Sequence, residues 1–361
     1  MKIRFIVLYC FTCSVTQLLA QSTTISFNKE KWNTKTSTEA NFAKFKDREA
    51  LQLNGSLFLN NFMLEQGEIS VDIFCDSNRS FAGLIFHDSG DNSEEVYLRK
   101  HKSSQADAIQ YTPIFNNESN WQLYPQLQSF YTFIPNQWNT LTIAFNAKKA
   151  LVLINNEVTL EIPVLKTDNT TGKIGLWALK PGWFSNFKVE PLKHDLSAIK
   201  EPSEVYTLPL ITEWELSKST SIDSLSEYIS KTPNNIKTIT APTEPNGLLP
   251  ISKYIKKTSN RNFEYNTEEF TIATKTIHSN SKKEVRFMFD YSDRCIVVLN
   301  GKKLFIGDNS FKVKGVQYMG HLNKKSNTLL LSLQKGNNLL QVFVIEKANG
   351  WGLIGSLEDI N

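Results

Sequence analysis

WNTLTIAFNAKKALVLINNEVTLEIPVLKTDNTTGKIGLWALKPGWFSNFKV, residues 138 to 189, decides the fold, because its alternation and turn residues spell out consecutive strands of a β-sandwich. Leu141, Ile143 and Phe145 fall at every second position with Thr140, Thr142 and Ala144 between them, the period of a half-buried strand. Leu151 to Ile154 run into Asn155 and Asn156, residues that tolerate the positive φ of a tight turn, and Val158, Leu160 and Ile162 resume the alternation. This predicts a hairpin. Gly172 permits a sharp entry into Ile174 to Trp177, and Phe184, Phe187 and Val189 close the unit.

The same grammar returns in the second half. Phe270, Ile272 and Ala273 open a strand, VRFMFDY follows, and CIVVLNGKKLFIG predicts two strands joined by an Asn300-Gly301 turn, a strong hairpin signal. TLLLSL and NLLQVFVIEK add two more, around the turn at Gln334 to Asn338. Between the halves, Pro191, Pro202 and Pro209 mark a connector, since proline breaks regular structure and stiffens a link. In IDSLSEYISK, Ile222, Leu225 and Ile229 stand near helical spacing and predict one short helix. The expected fold is therefore all-β, two β-sandwich jelly rolls with minor helix. Its expected parts are a leader over 1–20, a first sandwich over 21–192, a linker over 193–212 and a second jelly roll over 213–361.

The leader is read from MKIRFIVLYCFTCSVTQLLAQ, where Lys2 and Arg4 precede an apolar run ending in a cleavable Ala20-Gln21 junction. That run is far shorter than the roughly 20 residues of a membrane span, so it predicts secretion, to the periplasm or cell surface or beyond, and no later segment is apolar enough to cross a bilayer. Loss of Lys2 and Arg4 lowers the formal charge of +4 by two, leaving a nearly neutral chain. Lys282-Lys283, Lys302-Lys303 and Lys324-Lys325 are isolated pairs at turn positions, so nucleic acid is not an expected partner. Cys75 and Cys295 follow strand patterns and read as small buried hydrophobes, an interdomain disulfide being the lesser alternative.

Trp138 opening a strand, the Asn155-Asn156 turn, GKIGLW and the closing FSNFKV resemble the C-terminal half of laminin-G-like, concanavalin A-like jelly rolls, over residues 22 to 192. The resemblance implies the sandwich and leaves activity open, because lectins, adhesion modules and glycan hydrolases all use it. VVLNGK, LQKGNNLLQVFV and WGLIG resemble the galactose-binding-like jelly rolls appended to secreted carbohydrate-active enzymes, over residues 265 to 357.

The richest polar cluster lies in residues 80 to 124. If Val96 and Leu98 point into the core, Tyr97, Arg99 and His101 share the opposite face, and Gln110, Tyr111 and Trp121 arrive on the next strands. A ring beside planar donors suits a pyranose, whose C–H face stacks on the ring while its hydroxyls find partners. The competing reading makes the three aromatics core residues and pairs Arg99 with Asp107 or Glu95. Glucanases of this fold carry a carboxylate triplet on one strand, but here Ser70 stands between Glu68 and Asp72. Two acids four positions apart on a strand start about 13 Å apart, against the roughly 5 Å of a retaining glycosidase. That face is expected to be solvated. His87 to Asn92 cluster oxygen ligands as a calcium site would but without the spacing of a calcium loop, and the five histidines show no zinc spacing, so no cofactor is expected, calcium at that turn being the lesser alternative.

These patterns predict a secreted, glycan-binding protein accessory to polysaccharide use. The alternative is a glycan-cleaving enzyme, of the glycoside hydrolase type or of the 3-keto-disaccharide hydrolase family, whose SFAGLIF-like strand residues 80 to 86 resemble. The following strand, VYLRKH, departs from that family's pattern, so no catalytic residue is assigned.

Overall fold

The computed structural model describes residues 21–34, 39–201, 209–230, 236–258, 266–323 and 326–360. The leader over 1–20 lies outside the described residues, as do 202–208 of the connector and the Lys324-Lys325 pair.

Thirteen antiparallel strands build the first half: β1 Thr23–Ile25, β2 Glu39–Phe45, β3 Arg48–Leu64, β4 Gly67–Cys75, β5 Phe81–Asp88, β6 Ser93–Arg99, β7 Gln105–Phe115, β8 Glu118–Ser119, β9 Gln128–Tyr131, β10 Gln137–Phe145, β11 Ala150–Ile154, β12 Glu157–Ile162 and β13 Gly172–Glu190. Their order, β12-β11-β10-β4-β13-β5-β6-β7-β8, is continuous because β13 belongs to both layers. Its first part, Lys173 to Leu179, pairs with β5, and its last part, Phe184 to Glu190, pairs with β4. β3 makes the same passage beside it. Residues 138–189, read as separate strands, thus end in one strand bent across the sandwich, with its register shift between Ala178 and Gly182. Ile69, Val71 and Ile73 of β4, Val96 and Leu98 of β6 and Leu141, Ile143 and Phe145 of β10 fill the core by alternation.

Both turns read from sequence form: Asn155 and Asn156 have φ of 50° and 68°, and Asn300 and Gly301 of 49° and 77°. Gly172 serves a close approach as well as an entry, since a Cβ there would stand 2.3 Å from the His87 carbonyl carbon.

The second half is also an antiparallel sandwich. One sheet runs in the order Thr238–Pro242, Glu213–Ser217, Glu269–Ser279, Gly336–Glu346, Arg294–Leu299 and Lys302–Asp308, and the facing sheet in the order Leu248–Pro250, Gly352–Asp359, Lys283–Ser292 and Asn327–Leu333. The expected helix is a 3-10 turn, Ile222–Ser224, leading into α1, Leu225–Ser230, whose Leu225, Tyr228 and Ile229 cover Phe270, Ile272 and Phe343. The chain is all-β, as the alternation predicts.

The halves are joined by more than their connector. Leu248 of the second half is part of the first core. Tyr124 Oη donates to Glu244 Oε1 at 2.6 Å, and Lys166 Nζ to Glu244 Oε2 at 2.6 Å. Lys253, Lys256 and Lys257 reach back to Asp168, Asp91 and Glu118. The start of the expected linker is docked: Leu196 and Ile199 are buried against Ala144, Leu151 and Leu153. Cys75 and Cys295 lie in separate cores as free thiols, consistent with the buried-hydrophobe reading and not with a disulfide.

The expectation of a solvated face at Glu68 and Asp72 is corrected. Glu68 Oε1 accepts from Lys193 N at 2.7 Å, His194 N at 2.9 Å and His194 Nδ1 at 2.8 Å, so it anchors the chain leaving β13. Asp72 accepts from Arg48 at 2.7 Å and Thr140 Oγ1 at 2.6 Å. Both carboxylates are buried by segments that return from elsewhere in the chain.

Candidate functional site

The site is set by β6. Val96 and Leu98 face the core, so Glu95, Tyr97 and Arg99 share the other face. On β7, Tyr97 lies opposite Gln110 and Glu95 opposite Thr112; on β5, Tyr97 lies opposite Gly83. Gly83 also pairs with Trp177 of β13. With no side chain on Gly83, the rings of Tyr97 and Trp177 meet across it, centroids 5.1 Å apart. A Cβ at Gly83 would stand 2.6 Å from that of Tyr97.

Arg99 is buried and all but locked. Its Nη1 donates to Asp107 Oδ2 and to the Asp107 carbonyl, each at 3.1 Å, and its Nη2 to Gln110 Oε1 at 3.0 Å and Tyr97 Oη at 3.4 Å. Gln128 Nε2 closes the network on Gln110 Oε1 at 2.6 Å. The guanidinium carbon lies 5.2 Å from the Trp121 ring and 5.6 Å from that of Tyr97, cation–π distances. Asp107 is its acidic partner; Glu95, the other acid considered for that role, lies on the same face without pairing with it.

Four of the six residues singled out by sequence, Tyr97, Arg99, Gln110 and Trp121, come together here. His101 stands beside them, but on a 3-10 turn, Lys100–Lys102, where the strand has ended; its ring meets Phe81 at 5.0 Å. Tyr111 is the exception. As the neighbour of Gln110 on a strand it points the opposite way, into the core, where its hydroxyl donates to Glu94 Oε2 at 2.5 Å. The core-aromatic reading holds for Tyr111, while Trp121 is half-buried.

Sequence reasoning missed several contributors. Phe81 and Trp177 extend the rings along the face, 6.5 Å apart and each half-buried. From the second half, Phe311 meets Trp121 at 5.8 Å and His321 meets it at 5.7 Å. The result is a band of rings running from Trp177 across Tyr97, Arg99 and Trp121 onto the second sandwich. Phe81 and Trp177 were within reach of the strand alternation; Phe311 and His321 had no local signal.

Electrostatics distinguish the titratable groups. Burial alone pushes the Glu95 carboxyl up to about 8, so it is protonated at neutral pH. Burial, helped by the Arg99 charge, pushes His321 down to about 4. His101 is lowered too, first by burial and then by Arg79, Lys102 and Arg99 against the Ser80 carbonyl that it bonds. Both imidazoles are neutral near pH 7.

Clefts also lie elsewhere among the described residues. One of about 430 Å³ is lined by Arg48, Asp72, Ser185 and Asn186, and one of about 280 Å³ by Pro163, Leu165 and Asp168 among others. Among the described residues no cluster of three His, Cys, Asp or Glu side chains could hold a metal ion, and no helix is long and apolar enough to cross a membrane.

No family model matches this sequence, and no curated protein matches it. Among solved structures, the chain is similar to the carbohydrate binding module CBM66 from Bacillus subtilis, at 11% identity over 48% of this chain and 97% of that one, with a TM-score of 0.34. It is similar to the galectin LEC-6 of Caenorhabditis elegans, at 10% identity over 43% and 96%, with a TM-score of 0.27. A protein described as a native glycosidic hydrolase aligns at 10% identity over 50% and 99%, with a TM-score of 0.35. Each alignment spans about half of this chain at low identity, and the two antiparallel sandwiches are established by the strand pairings themselves.

Proposed function

We propose that this chain is a secreted glycan-binding protein, accessory to polysaccharide use, whose ligand lies on the ring band around Arg99. One observation carries the reading: Phe81, Trp177 and Trp121, all half-buried, are linked through Tyr97 and a fixed guanidinium into one contact path. Partly exposed rings offer stacking area for pyranose C–H faces, and rings already held by neighbours lose little freedom on binding. Secretion is supported by the leader-like residues 1 to 20. Retention of the purified chain on immobilised polysaccharides tests it. Trp177→Ala should abolish retention with the circular dichroism unchanged, and undiminished retention would remove the reading.

Glycan cleavage is the second reading, and Glu95 favours it. A carboxyl on the ring side of β6 that stays protonated at neutral pH is in the state that a general acid needs, and at 4% exposure it would act from beneath the rings. Turnover lost in Glu95→Gln, with retention on the polysaccharide intact, would establish cleavage in place of binding alone; absence of turnover across a panel of β-glucans and 3-keto-glycosides would leave binding.

A further inference from the structure

We propose that the ring band selects an acidic glycan, one whose sugar units carry carboxylate or sulfate groups; this rests on the glycan-binding reading above. The argument is one of charge balance around the rings. Arg79 stands over the Phe81 ring at 5.8 Å, Arg99 over Trp121 at 5.2 Å, and Lys312 over Phe311 at 5.0 Å. Lys102 Nζ is 3.2 Å from Asp107, the carboxylate that Arg99 already engages at 3.1 Å. One acid therefore answers two cations. Among the described residues, Arg79 and Lys312 have no acidic partner within ion-pair distance.

The other carboxyl on the face, Glu95, is uncharged at neutral pH because it is buried without a cation beside it. The loop that brings Phe311 and His321 to the rings, residues 309 to 323, contains Lys312 and Lys314 and no Asp or Glu. The surplus is felt at His101, lowered by burial and then by Arg79, Lys102 and Arg99 with no acid opposing them; at His321 the effect of Arg99 is countered by Asp107. A band with a net excess of one sign of charge concentrates ligands of the other sign. Arg99 has its Nη donors committed to Asp107, Gln110 and Tyr97, so it supplies field and holds the rings, while Arg79 and Lys312 remain at the rim to meet an oxyanion.

The test uses the whole chain in affinity electrophoresis and titration calorimetry against four polymers: a neutral galactan, polygalacturonate, a sulfated galactan, and polyglutamate as a charged polymer without sugar. Expected is binding to a carboxylated or sulfated glycan at least about tenfold tighter than to the neutral galactan, weakening as salt rises from about 50 to about 500 mM. The two acidic arms identify the group. Arg79→Ala with Lys312→Ala should remove the preference while leaving the thermal midpoint unchanged, and Trp177→Ala should weaken binding to acidic and neutral glycan alike. Equal binding of neutral and acidic glycan would overturn the proposal and leave the glycan reading standing. Equal binding of polyglutamate, insensitive to Trp177→Ala, would reduce the band to an ion exchanger and overturn it. Binding to none of the glycans would remove the reading on which it rests.

Discussion

Tyr124 and Glu244, 120 positions apart in the chain, share a 2.6 Å hydrogen bond that joins the first sandwich to the second. Tyr124 is fully buried, and Lys166 approaches the other carboxylate oxygen. Glu244→Ala leaves a buried hydroxyl and a part-buried ammonium without their acceptor, a loss of about 2–4 kcal/mol. Glu244→Gln keeps an acceptor for Tyr124 and should cost less. Thermal denaturation of the two variants ranks them; equal midpoints would show that the contact contributes nothing.

Glu95 should impose a pH dependence on stability. Its folded pKa of about 8 stands above the ordinary carboxylate value, so the folded state holds a proton that the unfolded state has released. Its contribution is full at pH below about 4.5 and is lost as pH rises to about 8. Glu95→Gln, neutral throughout, should flatten this part of the profile and raise the midpoint at pH 8 to 9 relative to the unaltered protein. Parallel pH profiles for the two would count against a buried, uncompensated Glu95.

The cysteines should be inert in the native state. Burial pushes the Cys75 thiol up to about 12 and raises Cys295 likewise, so neither supplies thiolate at neutral pH. A thiol reagent such as a disulfide chromophore should titrate both only after denaturation. Rapid native labelling of either would contradict its placement.

Limited proteolysis should spare residues 191 to 199, although proline and polar residues there read as an open connector. Leu196 and Ile199 are each 3% exposed, and Glu68 caps the backbone at Lys193 and His194. Leu196→Ala with Ile199→Ala removes two buried side chains, at about 2–5 kcal/mol each, and should open cleavage at Lys193. Cleavage there in the unaltered chain would show the strap to be undocked.

What the sequence made legible follows from the two-residue period. Val96 and Leu98 could be put inside and Tyr97 and Arg99 outside because a strand admits no other arrangement. The same rule separates Gln110 from Tyr111, so placing both on one face asked adjacent positions to point the same way. Alternation leaves Glu68 and Asp72 on a solvated face because it says which face a residue takes and nothing about what later covers it; the covers are His194, far along the chain, and Arg48, on β3 beyond the intervening β13. Phe311 and His321 reach Trp121 over some 190 positions or more, a distance at which no local pattern speaks. The bend of β13 was hidden likewise, since each of its parts alternates as a strand of its own.

Leu248 seats in the first core although it follows the last strand of that sandwich by dozens of residues. During synthesis the first sandwich therefore leaves the ribosome with the apolar patch under Leu248 uncovered, and it is covered only after the opening strands of the second have emerged. A pause in translation between Glu190 and Leu248 would prolong an incomplete, apolar-lined intermediate, so that the order of synthesis makes the second half a finishing piece of the first.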